Sequence, residues 1–181
     1  NNVIMAEFNQ TSASPPESEP VQNFSEEEVL TARSQALECK AAADAAFRSQ
    51  DYDNAIAGYT EAINALKAVG VADSVIFANR SACYLTMKRY VPACHDAIKS
   101  GEADPSNWKA FWRQGVALMS MAQNKFRTKQ AIAAFERCAQ CPSLPENKKA
   151  EIAQQLYQAQ ARWQQQDDET PMPDMSNCAP S

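Results

Sequence analysis

Three stretches of this chain repeat one pattern, and the repetition limits the fold more than any other feature. They read ALECKAAADAAFRSQDYDNAIAGYTEAI from Ala36, SVIFANRSACYLTMKRYVPACHDAI from Ser74 and WKAFWRQGVALMSMAQNKFRTKQAIAAFERCAQ from Trp108. Their starts lie 38 and then 34 residues apart. A period of this size with helical spacing of apolar residues builds a solenoid. Stacked helix hairpins share one core and leave a concave surface for a partner. The expectation is therefore a binding protein, before any chemistry is weighed.

Composition narrows the class. A length of 181 residues is enough for one domain with a sizeable core. A hydrophobic fraction of 45% with only 4 glycines suits helices better than a turn-rich sheet. The net charge of -5 argues against general nucleic-acid binding, which needs a cationic excess. No apolar run approaches the length of a membrane span. The first residues lack the basic region and apolar core of a secretory signal. Neither nucleic acid nor membrane is an expected partner. The six cysteines are Cys39, Cys83, Cys94, Cys138, Cys141 and Cys178, and most fall inside helical patterns. They read as small apolar residues of a reduced, cytoplasmic protein.

Residues 1–24 are rich in Ser, Pro, Glu, Gln and Asn and are expected to be disordered, as are residues 167–181. Order is expected over 25–166. Ser25 and Glu28 form a capping box at the first helix, which carries Val29, Leu30, Leu37 and Phe47 and runs to about Gln50. Asp51 starts a second helix, with Ala55, Ile56, Tyr59, Ala62 and Ile63 on one stripe. Asp73 or Ser74 caps the third. The fourth starts near Val91 and ends around Gly101. Pro105 separates it from a fifth that begins near Asn107. Ser143 to Glu146 reads as a second capping box. The helix after it sets Ile152, Leu156, Ala159 and Trp163 on one face and glutamines on the others, as a terminal cap requires.

Small and large residues recur at fixed offsets in the three stretches. The first supplies Ala43, Phe47, Tyr52, Ala55, Tyr59 and Ala62; the second Ser81, Tyr84, Tyr90, Ala93 and Pro105; the third Gly115, Leu118, Ala131 and Phe135. Small residues let paired helices approach, and aromatic rings fill the gap to the next pair. Over roughly residues 30–166 this pattern resembles the tetratricopeptide repeat family. The resemblance implies an all-α superhelix, a solenoid of three tetratricopeptide helix hairpins plus a C-terminal capping helix. One departure stands out. Phe126 and Ala131 are five apart, where Tyr52 and Ala55, or Tyr90 and Ala93, are three apart. About four extra residues either add a turn to the fifth helix or lengthen the turn after it.

A narrower resemblance lies inside the family. Some three-repeat domains clamp the C-terminal carboxylates of the seventy- and ninety-kilodalton heat-shock chaperones. They use Lys and Asn four apart on the first helix, Asn in an Asn-Arg-Ser-Ala-like segment, and Lys and Arg four apart on the fifth. Here those positions are Lys40 and Asp44, Asn79 in ANRSA, and Lys109 and Arg113 in KAFWR. Four of five match, and Asp44 departs. Residues four apart share a helix face, so Lys40, Lys109 and Arg113 are expected to converge on one groove of an acidic protein. A carboxylate seeks such charged donors, each contributing roughly 1.5–3 kcal/mol. An ionised Asp44 only accepts hydrogen bonds and repels an incoming carboxylate. Either Lys40 and Arg48, each four residues away, neutralise it, or it occupies Lys40 and the groove selects a different ligand.

Trp112 shares the groove stripe; it either packs against an apolar ligand side chain or fills the space between repeats. Cys138 and Cys141 have metal spacing without a second pair, so the core reading leads. His95 has no nucleophile or orienting group patterned around it, and no glycine-rich phosphate loop is present. No catalytic residue, metal or cofactor is expected. The resemblance implies a co-chaperone adaptor that brings a chaperone tail to a client protein. The alternatives are a structural scaffold subunit, or the adaptor domain of a phosphatase or prolyl isomerase.

Overall fold

The computed structural model describes residues 24–166. The expected tails at 1–23 and 167–181 lie outside the described residues. Seven helices follow in order: α1 (Glu26–Arg48), α2 (Tyr52–Lys67), α3 (Ser74–Thr86), α4 (Tyr90–Ala103), α5 (Trp108–Ser120), α6 (Lys125–Gln140) and α7 (Glu146–Gln165). They pack as consecutive hairpins, α1 on α2, α3 on α4 and α5 on α6. Each hairpin stacks on the next through α2–α3 and α4–α5, and α7 covers α6. The first helices of neighbouring hairpins, α3 and α5, also touch. This is the all-α tetratricopeptide architecture the repeats predict.

Local chemistry sets the boundaries. Ser25 Oγ accepts from the Glu28 amide at 3.2 Å, and the Glu28 carboxylate accepts from the Ser25 amide at 2.8 Å, completing a capping box. Asp51, Asp73, Asn107 and Asn124 cap α2, α3, α5 and α6 with their side chains. Gln50 and Lys88 take left-handed backbone conformations, φ 63° and 58°, where the chain reverses within the first two hairpins.

Small residues fill the helix contacts. Ala43, Ala55, Ala62, Ala93, Ala97, Ala110, Ala117 and Ala131 are buried. A Cβ built on Gly58 would lie 3.0 Å from that of Ala43, which measures how closely α1 and α2 approach. Tyr59, Phe135, Ile76 and Ile152 are the largest fully buried side chains. Each stabilises the fold by roughly 1.5–3 kcal/mol through burial. The joint between the second and third hairpins is polar. Ser74 Oγ donates to the Ser100 carbonyl and Ser100 Oγ to that of Ser74, both at 2.8 Å. The Asn107 amide donates to the Ser74 hydroxyl at 2.9 Å, so the cap of α5 is tied to the start of α3 and the end of α4.

Two local expectations need correction, and one open alternative is resolved. The segment from Ser143 is not a capping box: Pro145 is the N-cap of α7 and gives no side-chain cap bond. Ser143 Oγ instead donates to the Ser106 carbonyl, and with Pro145 as the N-cap Glu146 is the first helical residue where a capping box needs the third. The extra residues do not extend the fifth helix. α5 has 13 residues, like α3. The turn at 121–124 is one residue longer than that at 87–89, and α6 starts earlier, so Ala131 is its seventh residue where Ala93 is the fourth of α4. On α1, the large apolar residues Leu30 and Leu37 are 65% and 67% exposed, and the buried face consists of Ala32, Ala36 and Ala43. Trp163 is half-exposed, with the Lys125 ammonium 4.7 Å from its ring centroid.

Candidate peptide-binding groove

The groove draws on the first helix of every hairpin. Lys40 and Asp44 stand one turn apart on α1, Asn79 lies in the middle of α3, and Lys109 and Arg113 stand one turn apart on α5. Asp44 is the hub. Its Oδ2 lies 2.7 Å from Lys40 Nζ, and its Oδ1 accepts from Tyr59 OH at 2.5 Å and from Asn79 Nδ2 at 3.3 Å. Lys40, Asp44 and Asn79 therefore meet, and they meet on the protein's own carboxylate. Lys40, expected to converge with Lys109 and Arg113, lines a different hollow with Arg33 and Asp73.

Arg113 reaches the same place from the other side. It shares a cavity of about 190 Å³ with Asp44, Phe47, Arg48, Tyr59 and Asn79. Its Nη1 is buried with no hydrogen-bond partner among the described residues. Lys109 is exposed and borders an adjoining hollow of about 290 Å³, which also includes Asn79, Asn107 and Trp108. Its ammonium lies 5.9 Å from the Trp108 ring centroid. Asn79 thus belongs to both hollows and joins the two cationic positions. Arg48, expected to help neutralise Asp44, lines the cavity wall.

Trp112 does not join this group. Its ring packs against both carboxy-terminal core clusters, beside residues such as Phe135 and Ile152. Its indole N–H is buried without a partner among the described residues. Of the two readings open at this residue, the packing one describes its surroundings.

The electrostatics follow from burial and from these bonds. Partial burial works against ionisation of Asp44, but the bonds from Lys40, Tyr59 and Asn79 outweigh it and hold the carboxyl below its usual range. Burial, reinforced by the bond to Asp44, pushes the Tyr59 phenol well up. Burial lowers Arg113 to about 10, unusually far for a guanidinium. Burial raises Cys83 to about 11 and Cys138 to about 12, so both behave as small apolar groups. Cys138 and Cys141 donate to the carbonyls of Trp108 and Pro105 inside the core.

Two contributors were missed by sequence reasoning. Tyr59 was placed in the packing pattern, yet its hydroxyl points into the groove. The available signal was that a buried Tyr needs an acceptor for its O–H. Arg80 follows Asn79 in ANRSA and turns to the other side of α3, donating to Asp96 from Nε at 2.7 Å and from Nη2 at 2.8 Å. It fixes the helix that carries Asn79.

A groove of polar donors and cations on the first helices of three stacked hairpins defines a protein-interaction domain. A family model described as "Serine/threonine-protein kinase BSK1-like, TPR repeats" matches residues 11–115. The chain belongs to the tetratricopeptide repeat family. It is 37% identical over 93 residues to Protein unc-45 homolog B of Xenopus laevis, a match covering 51% of this chain and 10% of that protein. It is 40% identical over 83 residues to the heat shock protein sti1 homolog of Schizosaccharomyces pombe, covering 46% of this chain and 13% of that one. The chain therefore corresponds to a small part of these relatives. Among solved structures it is similar to the second TPR domain of human RPAP3 in complex with the HSP70 peptide SGPTIEEVD. The TM-score is 0.61 at 25% identity, over 71% of this chain and 98% of that one. The domain is thus similar to TPR domains of co-chaperones.

Proposed function

We propose that this domain is a co-chaperone adaptor that binds the acidic C-terminal segment of a seventy- or ninety-kilodalton heat-shock chaperone in its groove. Arg113 and Lys109 supply the charged donors and Asn79 an amide between them, while Lys40 is held on Asp44. The observation that carries this reading is the buried Nη1 of Arg113, without a partner among the described residues, beside an open cavity. A desolvated guanidinium is stabilised by a carboxylate, and a planar donor suits that anion best. The peptide held by the human RPAP3 domain supports the ligand class. A micromolar complex needs about 8 kcal/mol net, within reach of a few charge-assisted bonds plus apolar contact. On this reading the domain works by binding, without catalysis or cofactor, in the reducing cytoplasm that suits its buried thiols. A client protein is its second partner.

The pairing of Asp44 with Lys40 favours a second reading, a scaffold subunit whose groove is no longer tuned to carboxylates. Calorimetric titration separates the two. A short peptide ending Glu-Glu-Val-Asp is added to the domain and to its Lys109→Glu variant. The adaptor predicts micromolar binding that the variant weakens by more than about tenfold. Absence of binding to the unmodified domain supports the scaffold.

A further inference from the structure

The departure at Asp44 sets what kind of acidic ligand the groove accepts, and the inference here rests on the groove reading above. A terminal acidic residue presents two carboxylates, one on its side chain and one on its backbone. Gripping both takes two cationic positions. On α1, α2 and α3 the donors that would hold the first are already engaged: Lys40 lies 2.7 Å from Asp44 Oδ2, and Tyr59 OH and Asn79 Nδ2 donate to Oδ1 at 2.5 Å and 3.3 Å. Asp44 stands, in chemical terms, where a ligand carboxylate would stand.

What remains open is on α5. Arg113 faces the cavity with a buried nitrogen that has no partner among the described residues, and Lys109 is exposed one turn away. Lying one turn apart on one helix, these two positions serve one anion on the α5 side. A second carboxylate brought to the α1 side, where the donors are already taken, would meet Asp44, an ionised like charge, and lose more than it gains.

We infer that the groove grips a single carboxylate of an acidic peptide through Arg113 and Lys109, with Asp44 filling the other half of the clamp, so that a free C-terminus is dispensable for binding. The partner class then includes acidic segments inside a chain and blocked tails. Asp44 is the residue that determines this specificity.

Two peptides test it, both ending Glu-Glu-Val-Asp, one with a free terminal carboxylate and one with a terminal amide. Each is titrated into the unmodified domain and into Asp44→Asn, whose folding is checked by its helical circular dichroism. The expected affinities of the unmodified domain for the two peptides agree within about threefold, while Asp44→Asn prefers the free acid by about tenfold or more, as one regained charge-assisted bond implies. A tenfold preference for the free acid by the unmodified domain overturns the inference and leaves the groove reading intact. So does a folded Asp44→Asn that gains no preference. Binding by Asp44→Asn alone overturns it too, because Asp44 would then close the groove altogether. Failure of both peptides with both proteins removes the groove reading itself.

Discussion

Arg80 on α3 holds Asp96 on α4 through two parallel bonds, Nε to Oδ2 at 2.7 Å and Nη2 to Oδ1 at 2.8 Å. Its remaining nitrogen, Nη1, donates to Thr60 Oγ1 on α2 at 2.9 Å. One guanidinium thereby joins three helices and two hairpins. Asp96 is 2% exposed, so its charge depends chiefly on this partner, with His95 Nδ1 farther off at 3.8 Å from Oδ1. The segment ANRSA is split between two tasks. Asn79 faces the groove, and Arg80 anchors the helix that presents it.

Breaking this pair has a predictable cost. Asp96→Ala leaves a partly buried guanidinium without its anion and should destabilise the domain by about 3–5 kcal/mol. Replacing both partners with apolar residues of similar size should recover most of the loss, because the desolvation cost disappears with the charges. Urea unfolding of the single and double variants measures both effects. Equal losses in the two would show that packing, and not charge pairing, is at stake.

Gly115 should not accept even one methyl group. A Cβ there would lie 2.5 Å from Cε1 of Phe135, a ring with no exposed surface and no free direction to move. Gly115→Ala returns about 1 kcal/mol of helix propensity but incurs overpacking of roughly 1–3 kcal/mol. The net effect expected is a lower melting temperature. Phe135→Leu in the same background should relieve part of it. An unchanged melting temperature for Gly115→Ala would contradict the close approach of α5 and α6.

Arg113 should trade stability for binding. Burial lowers its pKa to about 10, so at neutral pH the folded domain keeps this charge at a cost. For a base with a depressed folded pKa, that cost is present below about 10 and is relieved as pH rises toward the ordinary guanidinium value. Arg113→Met removes the charge and keeps the side-chain bulk. It should stabilise the free domain by about 1–2 kcal/mol, a rise of roughly 3–8 °C in Tm, while peptide binding is lost. A variant that loses binding and stability together would mean that Arg113 supports the fold.

Asp44 gives a pH dependence of the same direction in the acid range, there through a favourable contribution that is lost and not a cost that is relieved. Its carboxyl is held below the usual range by Lys40, Tyr59 and Asn79 against partial burial. A depressed acid contributes stability above its unfolded pKa, near 3.9, and loses it as pH falls through the folded value. Thermal melts between neutral pH and about pH 3 should therefore decline less steeply for Asp44→Asn than for the unmodified domain. Parallel curves would show that the bonds to Asp44 do not persist in solution.

The repeat period made most of the architecture readable, because helical spacing and small-residue positions are local and recur three times. The caps at Ser25 and Asp73 were readable for the same reason: each depends on a residue and its next three neighbours. Ser143 misled because its hydroxyl takes the Ser106 carbonyl, a partner 37 positions away that no local pattern announces. The pairing of Lys40 with Asp44 followed from their spacing of four on one helix face. The reach of Tyr59 OH to Asp44 did not, since it depends on the depth at which α2 packs against α1. Trp112 occupied the expected stripe, but stripes do not reveal which rim of a face the next hairpin covers.

The central claim is that ligands enter along the first helices, at Asn79, Lys109 and Arg113. Its most direct measurement is a pair of proton–nitrogen correlation spectra of the labelled domain, with and without the acidic peptide. The account predicts that the side-chain amide of Asn79, the Arg113 guanidinium and the backbone amides around Lys109 shift most, with α4 and α7 nearly still. Shifts concentrated on α7 or along α4, with Asn79 and Arg113 unmoved, would contradict it.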